Sequence, residues 1–543
     1  MSSDDPAGPT SALSRDQLWT LVVSCLAVVL VIGSMAALYT SLSDITTATG
    51  ATQSQLTWVV DGYTLAVACL VLPVGAVGDR YGRRGVLTAG LVVFSAASAV
   101  PLLTPDPVWL IAARAVSGVG AAFVMPSTLS ILTAEFPAHH RGRAVGIWAG
   151  VAGSGAILGI LCSGLLLEHW SWESVFLGLT IAGIVLLVAA LTLPESREFA
   201  HPPMDYVGSV VAAIGLLVIA VTEAPQRGWA DPAVIALFAG GVASAVAFVV
   251  VELRREHPLL DLRLFADRGF GAGTLSIVLQ FLVLFGVFLL LVQYLQLVAG
   301  YDPLPSALAL APIVVPILGI SLPAPWLAQR WGLRLLTVSG LLTIAAGMLM
   351  ASRLDAASSY TDFLWPLLIL GTGLGLCTAP ATAAVVAAVP VEKHGVAAAV
   401  NDAAREVGAA VGIAIAGSVL AAGYTSRIAT ALPALPAPVR EPVSDSLASA
   451  LAVAESSGPA GSQLTEVATA AFVHGYSHGA IVLSIITVAG ALALAVWSPG
   501  RQASSGPDTR SEERPDDGGN DADAGLDVGL SVGRHARPDG EPQ

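Results

Sequence analysis

Asp61, Arg114, Asp402, Arg405 and Glu406 are charged residues that fall inside long apolar runs of a 543-residue chain. Near the centre of a membrane-spanning helix each such group costs on the order of 2.5–3.5 kcal/mol, so each is a candidate for handling protons or ions. Three of them belong to the segment NDAAREV at 401–407. Asp402 stands three residues from Arg405 and four from Glu406, which puts them on one face of a helix with Asn401 alongside. One guanidinium can neutralise one carboxylate and leaves the other in need of a proton or a cation. The alternative is a static ion-pair network that serves packing. Asp61 and Arg114 each lie about two turns below the outer surface and could pair across a cavity.

The elements that must position these residues are legible in the apolar runs. The chain is 55% hydrophobic and 12% charged, too little polar surface to cover a soluble fold. Runs such as 18–39, 205–223, 232–251, 271–299 and 475–497 each reach the roughly 20 residues that cross a bilayer as helix. The alternating, roughly 10-residue pattern of a membrane strand is missing. The expectation is an all-α polytopic membrane protein with fourteen spans. Basic residues give an independent check: with both termini cytoplasmic, 19 of the 25 fall on inner segments, four on outer loops, and Arg114 and Arg405 inside spans. An odd number of spans would scramble that bias.

The expected organisation is a cytoplasmic N-terminus (1–17), a six-helix half (18–193), a linker with two extra spans (194–270) and a second six-helix half (271–497). The second half contains a long outer loop (423–474), and an acidic, disordered cytoplasmic tail (498–543) follows it. An amphipathic helix is expected near 443–455. No small-residue cleavage site follows the first apolar run, so that run should stay as span 1. Cys25, Cys69, Cys162 and Cys377 all fall within spans, where they read as small packing residues rather than disulfides or metal ligands. Neither a phosphate-binding loop nor a catalytic cluster is present, so no cofactor, metal, enzymatic activity or ATP-driven step is expected. A nucleic-acid partner does not fit a net charge of −14.

An internal repeat sets the architecture. GAVGDRYGRRG at 75–85 returns as PWLAQRWGLRL at 325–335, with Arg80, Gly82 and Arg84 matching Arg330, Gly332 and Arg334 at an offset of 250. At an offset of 253, Gly155, Gly159 and Gly164 reappear as Gly408, Gly412 and Gly417. Both pairs keep their orientation, so the halves are parallel repeats, an arrangement that holds substrate between them near the midplane. Ala149, Ala152 and Gly153 stand where the second half has Asp402, Arg405 and Glu406, so the charges are specific to that half.

At these residues the chain resembles the major facilitator superfamily, and within it the fourteen-span drug:proton antiporter family. Gly75–Arg84 is similar to the loop signature G-x-L-x-D-R-x-G-R-R, and RAVSGVGAAFVMPS at 114–127 to the helix 4 signature headed by an arginine. WVVDGYTL at 58–65 and LQFLVLFGVFLLLVQYLQLVAGYDPLPSALALAP at 279–312 resemble the fourteen-span branch. The arginine-rich composition, with Lys393 the only lysine, fits a GC-rich, actinobacterial type of genome. Departures mark a divergent member. The helix 5 signature G-P-x-x-G-G reads Gly159, Ile160, Leu161, Cys162, Ser163, Gly164, which removes the basis for its usual kink and close packing. The helix 1 signature D-x-T-x-x-N has Ser34 and Tyr39 at its ends, so the usual carboxylate is missing and Asp61 is its expected substitute.

The resemblance implies a proton-coupled exporter of hydrophobic or cationic drugs, antibiotics or secondary metabolites, acting as a monomer in the plasma membrane. A dedicated metabolite exporter, or an importer with different coupling, stays open; a membrane sensor or enzyme would need clusters that the chain lacks. Gly75, Gly78, Asp79, Arg80, Gly82, Arg83 and Arg84 form the expected gating loop. There Asp79 would meet the start of span 13 near Gly395, where a helix N-terminus favours an anion. Fixing orientation alone is the other role open to these arginines. Tyr39, Tyr63, Met125, Gln280, Phe285, Gln293, Tyr294 and Gln296 are the candidate substrate-cavity residues, because Met and aromatic surfaces suit varied apolar ligands and Gln supplies adaptable hydrogen bonds.

Overall fold

A computed structural model describes residues 14–51, 53–195, 232–255, 260–390, 393–456 and 461–500. Helices follow one another without a strand among the described residues. They are α1 (Arg15–Ala37), α2 (Leu42–Thr49), α3 (Gln53–Tyr81), α4 (Arg83–Ala99), α5 (Pro107–Glu135), α6 (Ala138–His169) and α7 (Glu173–Ala190), then α8 (Pro232–Arg254). The second series is α9 (Arg268–Gln293), α10 (Pro303–Leu310), α11 (Val314–Ser321), α12 (Ala324–Trp331), α13 (Leu333–Ala351), α14 (Tyr360–Ala387) and α15 (His394–Ile428). It ends with α16 (Ala437–Asp445), α17 (Leu447–Ser456) and α18 (Gly461–Trp497).

Twelve stretches among the described residues are long and apolar enough to cross a membrane, and they fall on expected spans 1–6 and 9–14. The residues expected as span 8 form α8, which is not one of those twelve; expected span 7, at 205–223, and the tail beyond residue 500 lie outside the described residues. The tenth span is not one helix but α10, α11 and α12 in succession, interrupted near Pro312 and Pro323, whose rings cannot donate a helical hydrogen bond. Around residues 443–455 stand two short helices, α16 and α17, and the hydroxyl of Tyr424 on α15 donates to the Val443 carbonyl at 2.8 Å.

Helix starts are capped where the chain turns. Asp106 accepts from the Val108 amide at 2.7 Å ahead of α5, and Asp267 accepts from Gly269 and Phe270, both at 2.9 Å, ahead of α9. Outward faces are apolar: Leu177, Ile181, Ile184, Val185 and Val188 run exposed along one side of α7, while Phe176, Gly183 and Leu186 are buried on the other.

Packing repeats between the two series. α1 packs on α6 as α9 packs on α15; α4 meets α5 and α7 as α13 meets α14 and α18. The approach is backbone to backbone. A methyl added at Gly159 would run into the Gly33 carbonyl, and one at Gly412 into the Leu282 carbonyl. Gly120 against Gly90 and Gly373 against Gly340 repeat the pattern one helix pair along. The close packing that the altered helix 5 signature argued against is therefore present, because Gly159, one of the two glycines it retains, makes the contact. The turns repeat too. Gly82 has φ 109° and Gly332 φ 84°, values that L side chains rarely adopt. Beyond them Arg84 Nη1 donates to the Leu193 carbonyl at 3.0 Å, and Arg334 Nε to the Ser498 carbonyl at 2.7 Å.

This contact makes a prediction. Alanine in place of glycine gains at most about 1 kcal/mol of helix propensity, whereas overpacking against a rigid backbone costs about 1–3 kcal/mol. Gly412→Ala should therefore lower the thermal unfolding temperature in detergent. Gly417→Ala, whose new methyl would meet only a Leu289 methyl at 3.4 Å, should not.

Candidate functional site

The charges of expected span 13 lie on α15, which packs against α3, α5 and α9. Asn401, Asp402, Arg405 and Glu406 are all buried. Asn401 donates its amide to Asp402 Oδ1 at 3.2 Å, and the other oxygen of Asp402 has no hydrogen-bond partner. Glu406 Oε2 has none either, and Glu406 is within Coulombic reach of Tyr63 on α3. Arg405 does not make the Asp402 ion pair that its spacing offers: among the described residues Nε, Nη1 and Nη2 all lack a hydrogen-bond partner. Its guanidinium carbon lies over two aromatic faces instead, 4.8 Å from the Trp148 ring of α6 and 5.0 Å from the Phe281 ring of α9. The helix face predicted from spacing does carry the three charges; the guanidinium rests on rings, with Asp402 and Glu406 within Coulombic reach.

Arg114 on α5 is resolved differently. Its Nη1 donates to the Ser34 hydroxyl at 3.0 Å, Nη2 to the Ser34 carbonyl at 3.4 Å and Nε to the Val59 carbonyl at 3.2 Å. The Tyr63 ring lies 4.1 Å from the guanidinium carbon, and the Tyr63 hydroxyl donates to the Val31 carbonyl at 2.8 Å. Ser34 stands where the resemblance expects a carboxylate, and it meets the arginine with a hydroxyl and a backbone oxygen. Asp61 is on α3 between Val59 and Tyr63; its side chain, and with it the expected Asp61–Arg114 pair, lies outside the described residues.

At the end of the bundle that carries the arginine-rich loops, α3 is seated on the first turn of α15. A methyl on Gly75 would lie 2.7 Å from the Gly395 carbonyl and 2.5 Å from the Ala399 methyl. A second seam closes beside it, with Gly146 and Gly150 of α6 against Ser321 and Pro325. Arg84 pairs with Glu195 at 3.5 Å, Arg83 Nη1 donates to the Ser130 carbonyl at 3.4 Å, and Arg80 lies over the Tyr81 ring. Gly78 faces Ser127. The Asp79 side chain lies outside the described residues.

The candidate cavity residues divide. Tyr63 and Met125 are buried, Tyr63 against Arg114, and Phe285 stacks on Phe281 at 6.2 Å. Gln280 is a helix clamp, donating to Ser276 at 2.8 Å and accepting from Thr378 at 2.6 Å. Tyr294 is tied to the loop carbonyl of Asp355 at 2.8 Å and lies beside Tyr476. Gln293 and Gln296 are half-buried at a π-turn over Tyr294–Val298, and the Tyr39 side chain lies outside the described residues. Trp148 and Phe281 are not among the residues that spacing selected. A signal for Trp148 existed: at the offset of 253 it is the counterpart of Asn401, and a buried indole needs a partner, here Thr128 Oγ1 at 3.1 Å.

A family model described as Major Facilitator Superfamily matches residues 24–413. The chain belongs to that superfamily. It is a multi-pass membrane transporter of the major facilitator fold. Among curated proteins it is 32% identical over 436 residues to the multidrug resistance protein Stp of Mycobacterium tuberculosis, covering 79% of this chain and 81% of that one. It is 35% identical over 408 residues to the puromycin resistance protein pur8 of Streptomyces alboniger, covering 74% and 81%. Among solved structures, the proton:xylose symporter XylE bound to 6-bromo-6-deoxy-D-glucose superposes with a TM-score of 0.55 at 15% identity, covering 89% of this chain and 96% of that one. The human organic anion transporter MFSD10 does so with 0.56 at 13%, covering 89% and 100%. These two likenesses bear on the fold alone.

Ser34→Ala removes the hydroxyl acceptor of a buried guanidinium. Hydrogen bonds to charged groups contribute about 1.5–3 kcal/mol, so the variant should unfold at lower temperature than wild type, and Ser34→Thr should restore most of the loss.

Proposed function

We propose that this transporter exports hydrophobic or cationic drugs, antibiotics or secondary metabolites across the plasma membrane in exchange for protons. Both termini lie in the cytoplasm, and the six-helix halves flank two extra linker spans. The observation that carries the reading is the pair of buried carboxyls, Asp402 and Glu406, each with an oxygen that no donor among the described residues serves. A bound proton satisfies such an oxygen; without one, a buried charge lacking a partner costs several kcal/mol. The helix that bears them, α15, runs along the seam that alternating access must open, so protonation and seam opening act on one element. Arg114, already held by Ser34 and Val59, serves the first half as a fixed positive charge.

The gating loop works by fit. Gly75 admits the first turn of α15 only because it has no side chain, so the arginine-rich end stays shut until that contact slides apart. The names of the relatives support drug export: a multidrug resistance protein, a puromycin resistance protein and a cephamycin export protein are all similar over more than 400 residues.

The test is transport in proteoliposomes with an imposed pH gradient and a panel of dyes and antibiotics. The expected outcome is uphill movement of at least one compound that collapses with the gradient. Asp402→Asn and Glu406→Gln should each abolish coupled transport while the protein still folds. If both variants keep wild-type activity, these carboxyls serve packing and the coupling site is elsewhere.

A further inference from the structure

We propose that the faces of Trp148 and Phe281 form a subsite for a planar organic cation lacking N–H donors, and that Arg405 occupies that subsite as a built-in competitor. The proposal deepens the export reading and rests on it. The present occupant defines the ligand class. A guanidinium is flat and delocalised, and here it lies 4.8 Å and 5.0 Å from the two ring centroids with none of its nitrogens hydrogen-bonded. Among the described residues the subsite thus offers π-faces and no hydrogen bond to the cation within it, while Asp402 and Glu406 act on it through space. An ordinary arginine gains little there, because charge-assisted hydrogen bonds outweigh contacts with rings. An aromatic quaternary cation forfeits nothing.

Arg405 also has somewhere to go. Asp402 is one turn back on the same helix, and one of its oxygens is without a partner. Turning to that carboxylate would empty the rings. Conversely, a proton on Asp402 would remove the attraction and let the guanidinium return. Proton and substrate would thus compete through one side chain.

The rings are built to hold their positions. Trp148 is fully buried and its indole N–H donates to Thr128, while Phe281 is stacked on Phe285. They come from α6 and α9, one in each series of helices, so a ligand between them would touch both sides of the seam. Other charged or titratable groups on helices packed against α15 include Arg114 on α5, held by Ser34 and Val59, Tyr63 on α3, bonded to Val31, Asp61 on α3, whose side chain lies outside the described residues, Cys377 on α14, and His474, Tyr476 and His478 on α18. Glu406 adds a second carboxyl beside Tyr63.

The experiment is fluorescence titration of N-methylacridinium into the full chain in lipid nanodiscs. Arg405→Gln should bind it about tenfold more tightly than wild type, and Trp148→Leu about fivefold more weakly, the range expected for one cation–π contact. Removing a positive charge would by itself favour a cation, so the double variant decides: with Arg405→Gln and Trp148→Leu together, the gain should vanish. A gain that survives loss of the ring, or no gain in Arg405→Gln, overturns the proposal. Should Arg405→Gln fail to fold, Phe281→Leu carries the test, with weaker binding supporting the subsite and unchanged binding overturning it. Proton-driven export by wild type, combined with unchanged affinity in Arg405→Gln, would sink the subsite and leave the export reading standing.

Discussion

Lipid tails are as apolar as leucine, so a helix inside a bilayer gains nothing from hydrophobic burial against another helix. Association there depends on how closely backbones can approach and on how many polar groups can be matched. In this protein the approach is concentrated at α1 on α6, where Gly33 meets Gly159, and at α9 on α15, where Gly408 and Gly412 meet the carbonyls of Val278 and Leu282. The polar chemistry grows from the same places. Ser34, which holds Arg114, is the residue after Gly33; Phe281, which lies under Arg405, sits between Val278 and Leu282. Loosening either contact would move the groups that hold an arginine.

Two of the buried arginines, Arg114 and Arg405, show how differently one charge can be accommodated. Arg114 is held by oxygens, among them one hydroxyl and two backbone carbonyls from α1 and α3. That arrangement binds three helices of one half together and leaves the guanidinium little freedom. Arg405 has aromatic faces and, among the described residues, no hydrogen-bond acceptor, with an unmatched carboxyl oxygen on its own helix. Side chains in such a state have an alternative partner within reach, which a bistable element requires and a purely structural ion pair lacks.

Duplication explains both the symmetry and where it fails. Gly82 and Gly332, Arg84 and Arg334, and the paired helix contacts all keep their roles in both copies, because they make turns and seams that each half needs. The centre diverges instead. Trp148 and Asn401 are counterparts, as are Ala152 and Arg405, so one copy contributes a ring and the other the cation that covers it.

Sequence alone determined the membrane class, twelve of the spans that the structure describes, the parallel repeat, the superfamily and the set of intramembrane charges. Each of these is local or periodic: length of an apolar run, spacing on a helix face, recurrence at a fixed offset. Tertiary structure decided what the charges touch. Pairing of Asp402 with Arg405 follows from helical spacing, yet rings from α6 and α9, far away in sequence, take the guanidinium instead. Ser34 reads as a lost carboxylate in the sequence and proves to be an acceptor for Arg114 only once α1 lies against α5. The missing proline and glycine of helix 5 argued against close packing, whereas one remaining glycine, set opposite another, was sufficient. The physical reason is common to all three. A side chain's partner in a bundle is chosen by which helices meet and at what depth, and that information is carried by contacts between segments rather than by any segment on its own.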